Sequence, residues 1–561
     1  MKIPFKFENK SYTANSGESI ASALISNKIY TLNEKNSSKR GVFCGMGVCH
    51  ECLVEVNGQN NVRACIKQLD SNAIIYKQKE INIQELKQDT HEQNKVSNKY
   101  DSELLIIGGG IGGLSAALSA SNCGVNTILI DDREKLGGQF CKQPIINENM
   151  LLDEQVKLGR NLINKVIENG VRIFTNTSVF AIFEEKEILA LKDNELITFR
   201  PKKIIFSTGA FERGYPVKGW TLPGVMTTGA MQSMLKGYNV LAGRKILMCG
   251  NGPFILHVAK ELKNAGAEIV AISEKSSKPT ILDYKILIKL IFNSFKLFFK
   301  GVRYLLFLKI NRIPVFYGYE ITSIEGKGNA LTGTIKNIGG NDSKCFEVDC
   351  ICLGYGFNSS NNMLRFLGCK HDYQSDSNSL VTFRHDDFQT SVKDIYAIGD
   401  CVQINGAQVA QLDGTLSGYN VADSLSYDIN SEYLEDKNTC ESKLRKLKTF
   451  QVNLWKLYKS NDNNLSFLDK DVEICRCECI KYSTLENALE NGFASISDLK
   501  LKTRVGMGPC QGRYCGQIVL DILKHNFGVQ IKETDFFTPR IPFMPLNIEN
   551  LIESVGDEYQ S

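Results

Sequence analysis

The sequence predicts a multidomain α/β protein with two dinucleotide-binding units at its core and a small cysteine-rich domain at each end. The core is predicted by two apolar strands that each run into a glycine turn and a helix, at ELLIIGGGIGG and at KILMCGNGPF. The end domains are predicted by four cysteines between residues 44 and 65 and five between residues 475 and 515. A length of 561 residues is long enough for several domains.

Composition narrows the class of protein. Hydrophobic residues make up 43% of the chain and charged residues 23%, which excludes a disordered or fibrous protein. The net charge of +4 gives no reason to expect a nucleic acid partner. The 18 cysteines follow an N-terminus, MKIPFKFENK, that lacks a secretory signal, so we expect a cytoplasmic protein whose clustered thiols hold metal.

The N-terminal cysteines have the spacing C-x4-C-x2-C-x12-C, which is typical of a plant-type [2Fe–2S] ferredoxin. The candidate ligands are Cys44, Cys49, Cys52 and Cys65. The alternating segment KIPFKFENKSYTAN before them predicts a hairpin, and ESIASALISN predicts a helix. A structural zinc site or a set of reduced core thiols is the alternative. We expect His50, inside the loop, to be solvated.

A second cysteine group lies near the C-terminus in CRCEC and GMGPCQGRYC, separated by helix-like sequence. Its candidate ligands are Cys475, Cys477, Cys510 and Cys515, and Cys479 is a spare thiol that could replace a neighbour. All-thiolate ligation favours a second [2Fe–2S] cluster, but the spacing alone leaves zinc open.

The first glycine unit carries a complete dinucleotide fingerprint. Its glycines are Gly108, Gly110 and Gly113, and Asp131 ends the next strand 23 residues after the first of them. Such glycines shape the turn, admit the pyrophosphate and let the helix pack, while the acid binds a ribose hydroxyl. We add Gly138 and Gln139 of the following LGGQ turn to this site.

The second glycine unit is less complete. Gly250, Gly252 and Glu274 are in place, but Ile255 stands where the third glycine belongs, which favours a vestigial unit over a functional NAD site. The first unit resumes at IYAIGD, where Gly399 and Asp400 would face the flavin ribitol, so the nested units predict a flavin disulfide-reductase-like core. A C-x4-C redox disulfide starting at Cys141 would need its second cysteine at position 146, which is Ile146, so we expect no redox disulfide.

Residues 281–311 interleave apolar and basic positions. Lysines interrupt the run too often for a membrane-spanning helix, which needs about 20 apolar residues. A pair of amphipathic helices packed on the core or on a partner subunit is the favoured interpretation, and a peripheral contact with a membrane surface is the alternative.

Five segments together resemble the large subunit of hydrogen cyanide synthase and opine oxidase type amine dehydrogenases: GWTLPGVMTTGAMQSML, CLGYGFNSS, IYAIGDC, CRCEC with TRVGMGPCQGRYC, and PRIPFMPL. The central part also resembles the alpha subunit of sarcosine oxidase, and the C-terminal module resembles bacterioferritin-associated ferredoxin. The resemblance implies an N-terminal β-grasp ferredoxin, a flavoprotein core of two dinucleotide-binding domains and a C-terminal helical [2Fe–2S] module.

The predicted division of the chain into domains has seven parts. They are a ferredoxin domain (1–85), a linker (86–102), an FAD-type unit (103–240 and 353–430), an inserted NAD-type unit (241–352), a helical connection (431–470), the second metal module (471–530) and a tail (531–561).

The resemblance also implies a function. The chain would be the electron-transfer subunit of an amino-acid or opine dehydrogenase complex, with FAD in the first unit (NAD or ATP occupies this pocket in some relatives), two [2Fe–2S] clusters held by the eight cysteines, and FMN at a subunit interface. The amine would be oxidised on a smaller amino-acid-oxidase-like flavoprotein subunit, and a quinone or carrier protein would accept the electrons. A self-sufficient NAD(P)H-dependent reductase and a non-catalytic iron–sulfur protein are the alternatives.

Overall fold

The computed structural model describes residues 1–78, 98–145, 153–193, 195–429, 431–459, 468–528 and 530–546. They form the predicted multidomain α/β architecture, in which a small N-terminal sheet domain, two dinucleotide-type units and a C-terminal helical module follow one another along the chain. Among these residues, none of the helices has the length and apolar character needed to cross a membrane. Ile146, which stands where a disulfide partner of Cys141 would be needed, lies outside the described residues.

The N-terminal domain is a five-stranded mixed sheet covered by one helix. Its elements are β1 (Lys2–Phe7), β2 (Lys10–Asn15), α1 (Ile20–Ser26), β3 (Asn33–Lys35), β4 (Ser38–Arg40), β5 (Leu53–Val56), β6 (Gln59–Arg63) and β7 (Ile74–Lys77). The strand order is β2-β1-β7-β5-β6. Ser19 caps α1 by accepting a hydrogen bond from the Ser22 amide at 3.1 Å. The parallel β1–β7 pair and the antiparallel hairpins on both sides of it give the predicted β-grasp form.

The first dinucleotide unit begins earlier than predicted. Its elements are β8 (Asn98–Ile107), α2 (Ile111–Asn122), β9 (Thr127–Ile130), α3 (Glu154–Glu168), β10 (Arg172–Phe174), β11 (Thr177–Ile182), β12 (Ile188–Lys192), β13 (Glu195–Phe206) and β14 (Ala210–Glu212). The leading strand β8 starts inside the predicted linker 86–102, because Asn98–Ser102 pair with the long neighbouring strand β13. The rest of that linker lies in 79–97, outside the described residues.

The second unit has a five-stranded parallel sheet with a three-stranded antiparallel sheet beside it. Its elements are β15 (Val225–Thr227), α4 (Thr228–Tyr238), β16 (Lys245–Gly250), α5 (Pro253–Asn264), β17 (Glu268–Glu274), α6 (Tyr284–Asn293), α7 (Phe295–Ile310), β18 (Val315–Tyr317), β19 (Tyr319–Lys327), β20 (Ala330–Asn337), β21 (Ser343–Val348) and β22 (Cys350–Gly354). The parallel sheet has the order β15-β22-β16-β17-β18. Its first strand, β15, lies before the predicted boundary at residue 241, since three apolar residues are too few to show a period in the sequence.

The chain then returns to the first unit through β23 (Phe357–Ser359), α8 (Asn362–Phe366), β24 (His371–Gln374), β25 (Ser379–Thr382), β26 (Ile395–Ala397) and α9 (Ala407–Ser424). Here β26 pairs with β13, and α9 packs along α2. These helices approach closely, because a Cβ on Gly414 would lie 2.1 Å from the carbonyl oxygen of Gly112. A long helix and the C-terminal module follow, as α10 (Ser431–Leu457), β27 (Glu473–Cys475), β28 (Ile480–Lys481), α11 (Tyr482–Glu490), α12 (Ile496–Thr503) and α13 (Cys515–Phe527).

Candidate functional site

The four N-terminal cysteines converge although they come from two places in the domain. Cys44, Cys49 and Cys52 lie in the loop between β4 and β5, and Cys65 follows β6. All four are buried, and their thiols meet as Cys44 with Cys49 and Cys52 with Cys65, with a further contact between Cys44 and Cys65. Burial alone would raise the pKa of Cys44, but hydrogen bonds from Cys49, Cys65 and the Met46 amide hold it well below its usual value. Cys44 is therefore held as a thiolate, the form that binds iron, whereas burial raises the pKa of Cys49 and hydrogen bonds with Cys44 and Cys52 raise that of Cys65.

His50 is buried at 6% exposure, so the expectation that it is solvated was wrong. The loop turns back on itself at this residue, whose φ of 55° is left-handed. Burial, reinforced by the nearby positive charge of Arg63, lowers the pKa of the imidazole to about 3, so His50 is neutral at physiological pH.

The C-terminal cysteines also meet in pairs. The thiol of Cys475, at the end of β27, contacts that of Cys515 at the start of α13, and the Cys477 thiol contacts that of Cys510. The hydrogen bond from Cys477 lowers the pKa of Cys510 to about 7. Cys479 is not in this group, because its sulfur accepts a hydrogen bond from Arg40 at 3.4 Å.

The donor sets suit a two-iron cluster, in which each iron takes two thiolates. Each site offers four thiols arranged as two contacting pairs. The paired thiols thus fit the predicted [2Fe–2S] clusters.

The two cysteine groups lie side by side, although the sequence separates them by more than 400 residues. The Cys477 sulfur is 3.8 Å from the carbonyl oxygen of Cys49. Cys49 and the four C-terminal ligands line one small cavity together with Glu51, Arg476 and Tyr514. The two cysteine groups lie near opposite ends of the sequence, and the fold brings them together.

The first dinucleotide unit has the geometry of an open cofactor site. Gly113 lets α2 pack on the glycine turn, because a Cβ there would lie 1.9 Å from the Gly108 carbonyl oxygen. The LGGQ turn crosses the same loop, since a Cβ on Gly138 would lie 2.9 Å from the Cα of Gly110. No side chain caps α2 at Gly110, and an uncapped helix N-terminus of this kind suits a pyrophosphate.

Acidic residues complete this site. Asp131 accepts hydrogen bonds from the amides of Gly109 at 2.6 Å and Arg133 at 2.8 Å, and burial raises its pKa to about 6. Asp400 accepts from the amides of Asn405 and Gly406 at 3.0 and 2.9 Å, and burial raises its pKa as well.

Two further residues of the predicted site, Gly399 and Gln139, form hydrogen bonds with neighbouring elements. The Gly399 amide donates to Asp413 at 3.2 Å, beside the N-terminal end of α9. The Gln139 side chain accepts a hydrogen bond from Ser233 of α4 at 2.9 Å. Gln139 therefore ties the LGGQ turn of the first unit to the helix that leads into the second.

The second dinucleotide unit is closed by the chain itself. Glu274 accepts hydrogen bonds from the amides of Gly252 and Ser276, both at 3.0 Å, and is fully buried. The turn that would meet a phosphate is covered by the end of α10: a Cβ on Gly252 would lie 3.4 Å from the Trp455 ring, and the Asn251 side chain donates to the Tyr458 carbonyl at 3.0 Å. A Cβ on Gly250 would lie 2.3 Å from the Gly354 carbonyl oxygen, so this glycine serves strand packing.

Three charged residues in and beside these loops were missed by sequence reasoning. Glu51 and Arg476 form an ion pair at 3.3 Å between the two cysteine loops, and Arg133 donates from its side chain to the Met46 carbonyl beside Cys44. An acid inside CHEC and a base inside CRC are opposite charges within ligand loops, and that pattern could have flagged Glu51 and Arg476. No comparable signal marks Arg133.

Family comparisons match three segments of the chain. The pyridine nucleotide-disulphide oxidoreductase family matches residues 102–414, the 2Fe-2S iron-sulfur cluster binding domain matches residues 1–80, and the sarcosine oxidase A3 domain matches residues 474–553. These segments contain the first dinucleotide unit, the N-terminal cysteine loop and the C-terminal cysteine loop respectively.

Among curated proteins, the chain is similar to hydrogen cyanide synthase subunit HcnB of Pseudomonas aeruginosa, at 26% identity over 81% of this chain and 99% of HcnB. It is also similar to an opine oxidase subunit of Rhizobium meliloti, at 24% identity over 81% of this chain and 99% of that subunit. Among solved structures, L-proline dehydrogenase from P. horikoshii has the same fold, with a TM-score of 0.73 at 21% identity over 98% of this chain and 97% of that one.

Proposed function

The chain belongs to the pyridine nucleotide-disulphide oxidoreductase family, and from this premise we propose that it is the electron-transfer subunit of an amino-acid or opine dehydrogenase complex. It is a flavin-dependent oxidoreductase with a 2Fe-2S domain at its N-terminus. The relatives that it matches over nearly their whole length are, by name, subunits of hydrogen cyanide synthase and opine oxidase. These matches support a role as the large subunit of such a complex.

In this proposal, FAD occupies the first dinucleotide unit, and each cysteine group holds a [2Fe–2S] cluster. A smaller amino-acid-oxidase-like flavoprotein subunit oxidises the amine, FMN sits at the interface between the subunits, and a quinone or carrier protein accepts the electrons. Oxidation of a C–N bond releases two electrons together, whereas an iron–sulfur cluster takes one at a time, and a flavin converts between the two. The residues of this chain would bind these groups and hold them in place.

The observation that carries the proposal is the placement of eight buried or partly buried cysteines, in two sets of paired thiols, next to each other and beside a dinucleotide-binding fold. Iron and acid-labile sulfide assays on the anaerobically purified chain test it. We expect four irons, four sulfides and one flavin per chain. Two irons per chain would contradict one of the two cluster assignments.

The second unit decides between this proposal and a self-sufficient NAD(P)H-dependent reductase. Trp455 and Tyr458 cover the glycine turn that a nicotinamide dinucleotide would need, which counts against direct reduction by NADH. Anaerobic titration with NADH should leave the flavin absorbance unchanged, and rapid bleaching would favour the alternative. A non-catalytic iron–sulfur protein would show no flavin in the visible spectrum at all.

We also propose that helices α6 and α7 rest on an anionic membrane surface at the cytoplasmic side. Residues 284–310 carry six Lys and Arg and no Asp or Glu, which complements the charge of anionic lipid. The same helices expose large apolar side chains, with Phe292 83% exposed, Phe295 62% and Ile310 79%. A basic, apolar face of this kind binds lipid headgroups and acyl chains without spanning the bilayer.

Flotation of the full chain with vesicles tests this contact. We expect binding to phosphatidylglycerol vesicles, little binding to phosphatidylcholine vesicles, and weaker binding at high salt. The double variant Phe292→Ser/Phe295→Ser should lose binding, while Phe183→Ser, which alters an exposed phenylalanine of the first unit, should keep it. Self-association without vesicle binding would assign this face to a second copy of the chain and contradict the proposal.

A further inference from the structure

A buried ion pair joins the two cysteine loops. Glu51, between His50 and Cys52, is fully buried, and its carboxylate lies 3.3 Å from the guanidinium of Arg476. Arg476 stands between the ligands Cys475 and Cys477 and is itself only 3% exposed. This ion pair therefore connects the N-terminal cysteine loop directly to the C-terminal cysteine loop.

Further charges hold this pair from the N-terminal side. The Glu51 carboxylate also lies 3.7 Å from Arg40 and 3.3 Å from Lys35. Arg40 reaches across the interface to Glu473, two residues before Cys475, at 2.5 Å. The two loops are thus joined by a network of charges, in which both carboxylates have a basic partner on the opposite side.

Aromatic rings fix the orientation of Arg476. Its guanidinium stacks over Phe43 at 3.9 Å and over Trp220 at 4.8 Å, and it donates a hydrogen bond to the Trp220 carbonyl at 2.6 Å. Phe43 precedes the ligand Cys44, and its ring meets that of Tyr514, which precedes the ligand Cys515, at 5.3 Å. The planar guanidinium can stack and form an ion pair at once, which a lysine cannot do.

We infer that Glu51 and Arg476 are positioning residues that hold the two metal sites in direct electron-transfer contact, so that the sites act as one relay. This inference rests on the proposed function, since it requires a cluster at each site. A single electron would leave one site and be accepted at the other, with no proton transferred and no bond made or broken. The Cys477 sulfur lies 3.8 Å from the Cys49 carbonyl oxygen, which brings a ligand of one site against the loop of the other.

Electron paramagnetic resonance of the full chain, reconstituted anaerobically and reduced with dithionite, tests the inference. Two reduced clusters in such close contact should interact magnetically, so we expect signals that are broadened or split compared with the sum of two isolated clusters. Glu51→Gln removes the charge with little change in shape, and Arg476→Lys keeps the charge but loses the stacking. We expect both variants to keep four irons per chain and to show narrower signals with weaker splitting.

The control is Asp394→Asn, which removes a carboxylate that also bridges two cations, Lys186 at 3.2 Å and Lys203 at 2.7 Å, away from the metal loops. Its signals should match those of the unchanged chain. If Glu51→Gln does not fold, the comparison of Arg476→Lys with the control still tests the role of the pair.

Each remaining outcome is decisive. Four irons per chain with two non-interacting signals would overturn the inference and leave the proposed function standing. Coupling that persists undiminished in Arg476→Lys and Glu51→Gln would overturn the positioning role. Two irons per chain would overturn the inference together with the second cluster on which it depends.

Discussion

The two dinucleotide units share a plan but differ in access. Each places a glycine turn between a buried strand and a helix, and each ends its next strand with an acid, Asp131 in the first unit and Glu274 in the second. In the first unit Gly108 and Gly110 stay partly exposed beside the LGGQ turn, whereas in the second unit Gly252 is buried and Trp455 of α10 lies over it.

This difference shows that a glycine pattern specifies the backbone conformation of the turn, whereas the surrounding residues determine whether the turn can bind a ligand. Gly252 keeps a left-handed φ of 106° and donates its amide to Glu274, as the Gly109 amide of the first unit donates to Asp131, yet Trp455 lies over the second turn. The second unit thus retains the fold of a dinucleotide site while its binding face supports α10. Three sets of substitutions test this difference.

The largest effect is expected when Gly113, the third glycine of the first unit, is replaced by isoleucine, the residue at the equivalent position 255 of the second unit. In Gly113→Ile, the new Cβ would lie 1.9 Å from the Gly108 carbonyl oxygen, a backbone atom that cannot move away. We expect complete loss of bound flavin and a fall in the free energy of unfolding of more than about 3 kcal/mol. Flavin absorbance per chain and urea denaturation measure the two effects. Ile255→Val in the second unit should cost about 1 kcal/mol and keep the flavin; a flavin-replete Gly113→Ile protein would refute the distinction.

A smaller effect is expected at the junction of the units, where the Glu212 carboxylate accepts a hydrogen bond from the Gly229 amide of α4 at 2.7 Å. Burial raises the pKa of Glu212 from 4.5 to about 7. Between these two values the folded state holds a proton that the unfolded state has lost, so the stability that Glu212 contributes is greatest below pH 4.5 and falls as the pH rises to about 7.

The variant Glu212→Gln should remove this slope, which amounts to about 3 kcal/mol between the two limits. Denaturant unfolding at a series of pH values measures it, and the exposed Glu195→Gln serves as the control. Parallel curves for the Glu212→Gln variant and the unchanged chain would show that the buried carboxylate does not titrate in this range.

The smallest effect is expected from substituting the acid that follows each glycine turn, Asp131 in the first unit and Glu274 in the second. Asp131→Asn should weaken flavin binding about 10- to 100-fold, because a hydrogen bond to a charged group contributes about 1.5–3 kcal/mol. Glu274→Gln should leave flavin affinity unchanged, since its carboxylate bonds only within the second unit. Titration of the flavin-stripped variants with FAD measures both. Equal losses would mean that the two units share one cofactor.

Much of the fold could be predicted from local patterns. The strand, turn and helix around Gly108 follow from residues within 30 positions of one another, and so does the cysteine loop before β5. Boundaries were less predictable: β8 starts at Asn98 within a polar segment, because its partner β13 is long enough to pair with it. Of the nine cysteines outside the two groups, seven are buried like small hydrophobic residues, whereas Cys123 is half-buried and Cys345 exposed.

Local sequence specifies the chemistry that each segment can support: thiol spacings that suit iron and sulfide, and glycine turns that suit a dinucleotide. Which of these sites meet, and which are closed, depends on the tertiary fold. It placed Cys49 beside Cys477 and paired Glu51 with Arg476, and it set Trp455 over the second glycine turn. The reason is physical: ligand spacing is a property of neighbouring residues, whereas contact between distant segments depends on how whole sheets and helices bury their apolar faces.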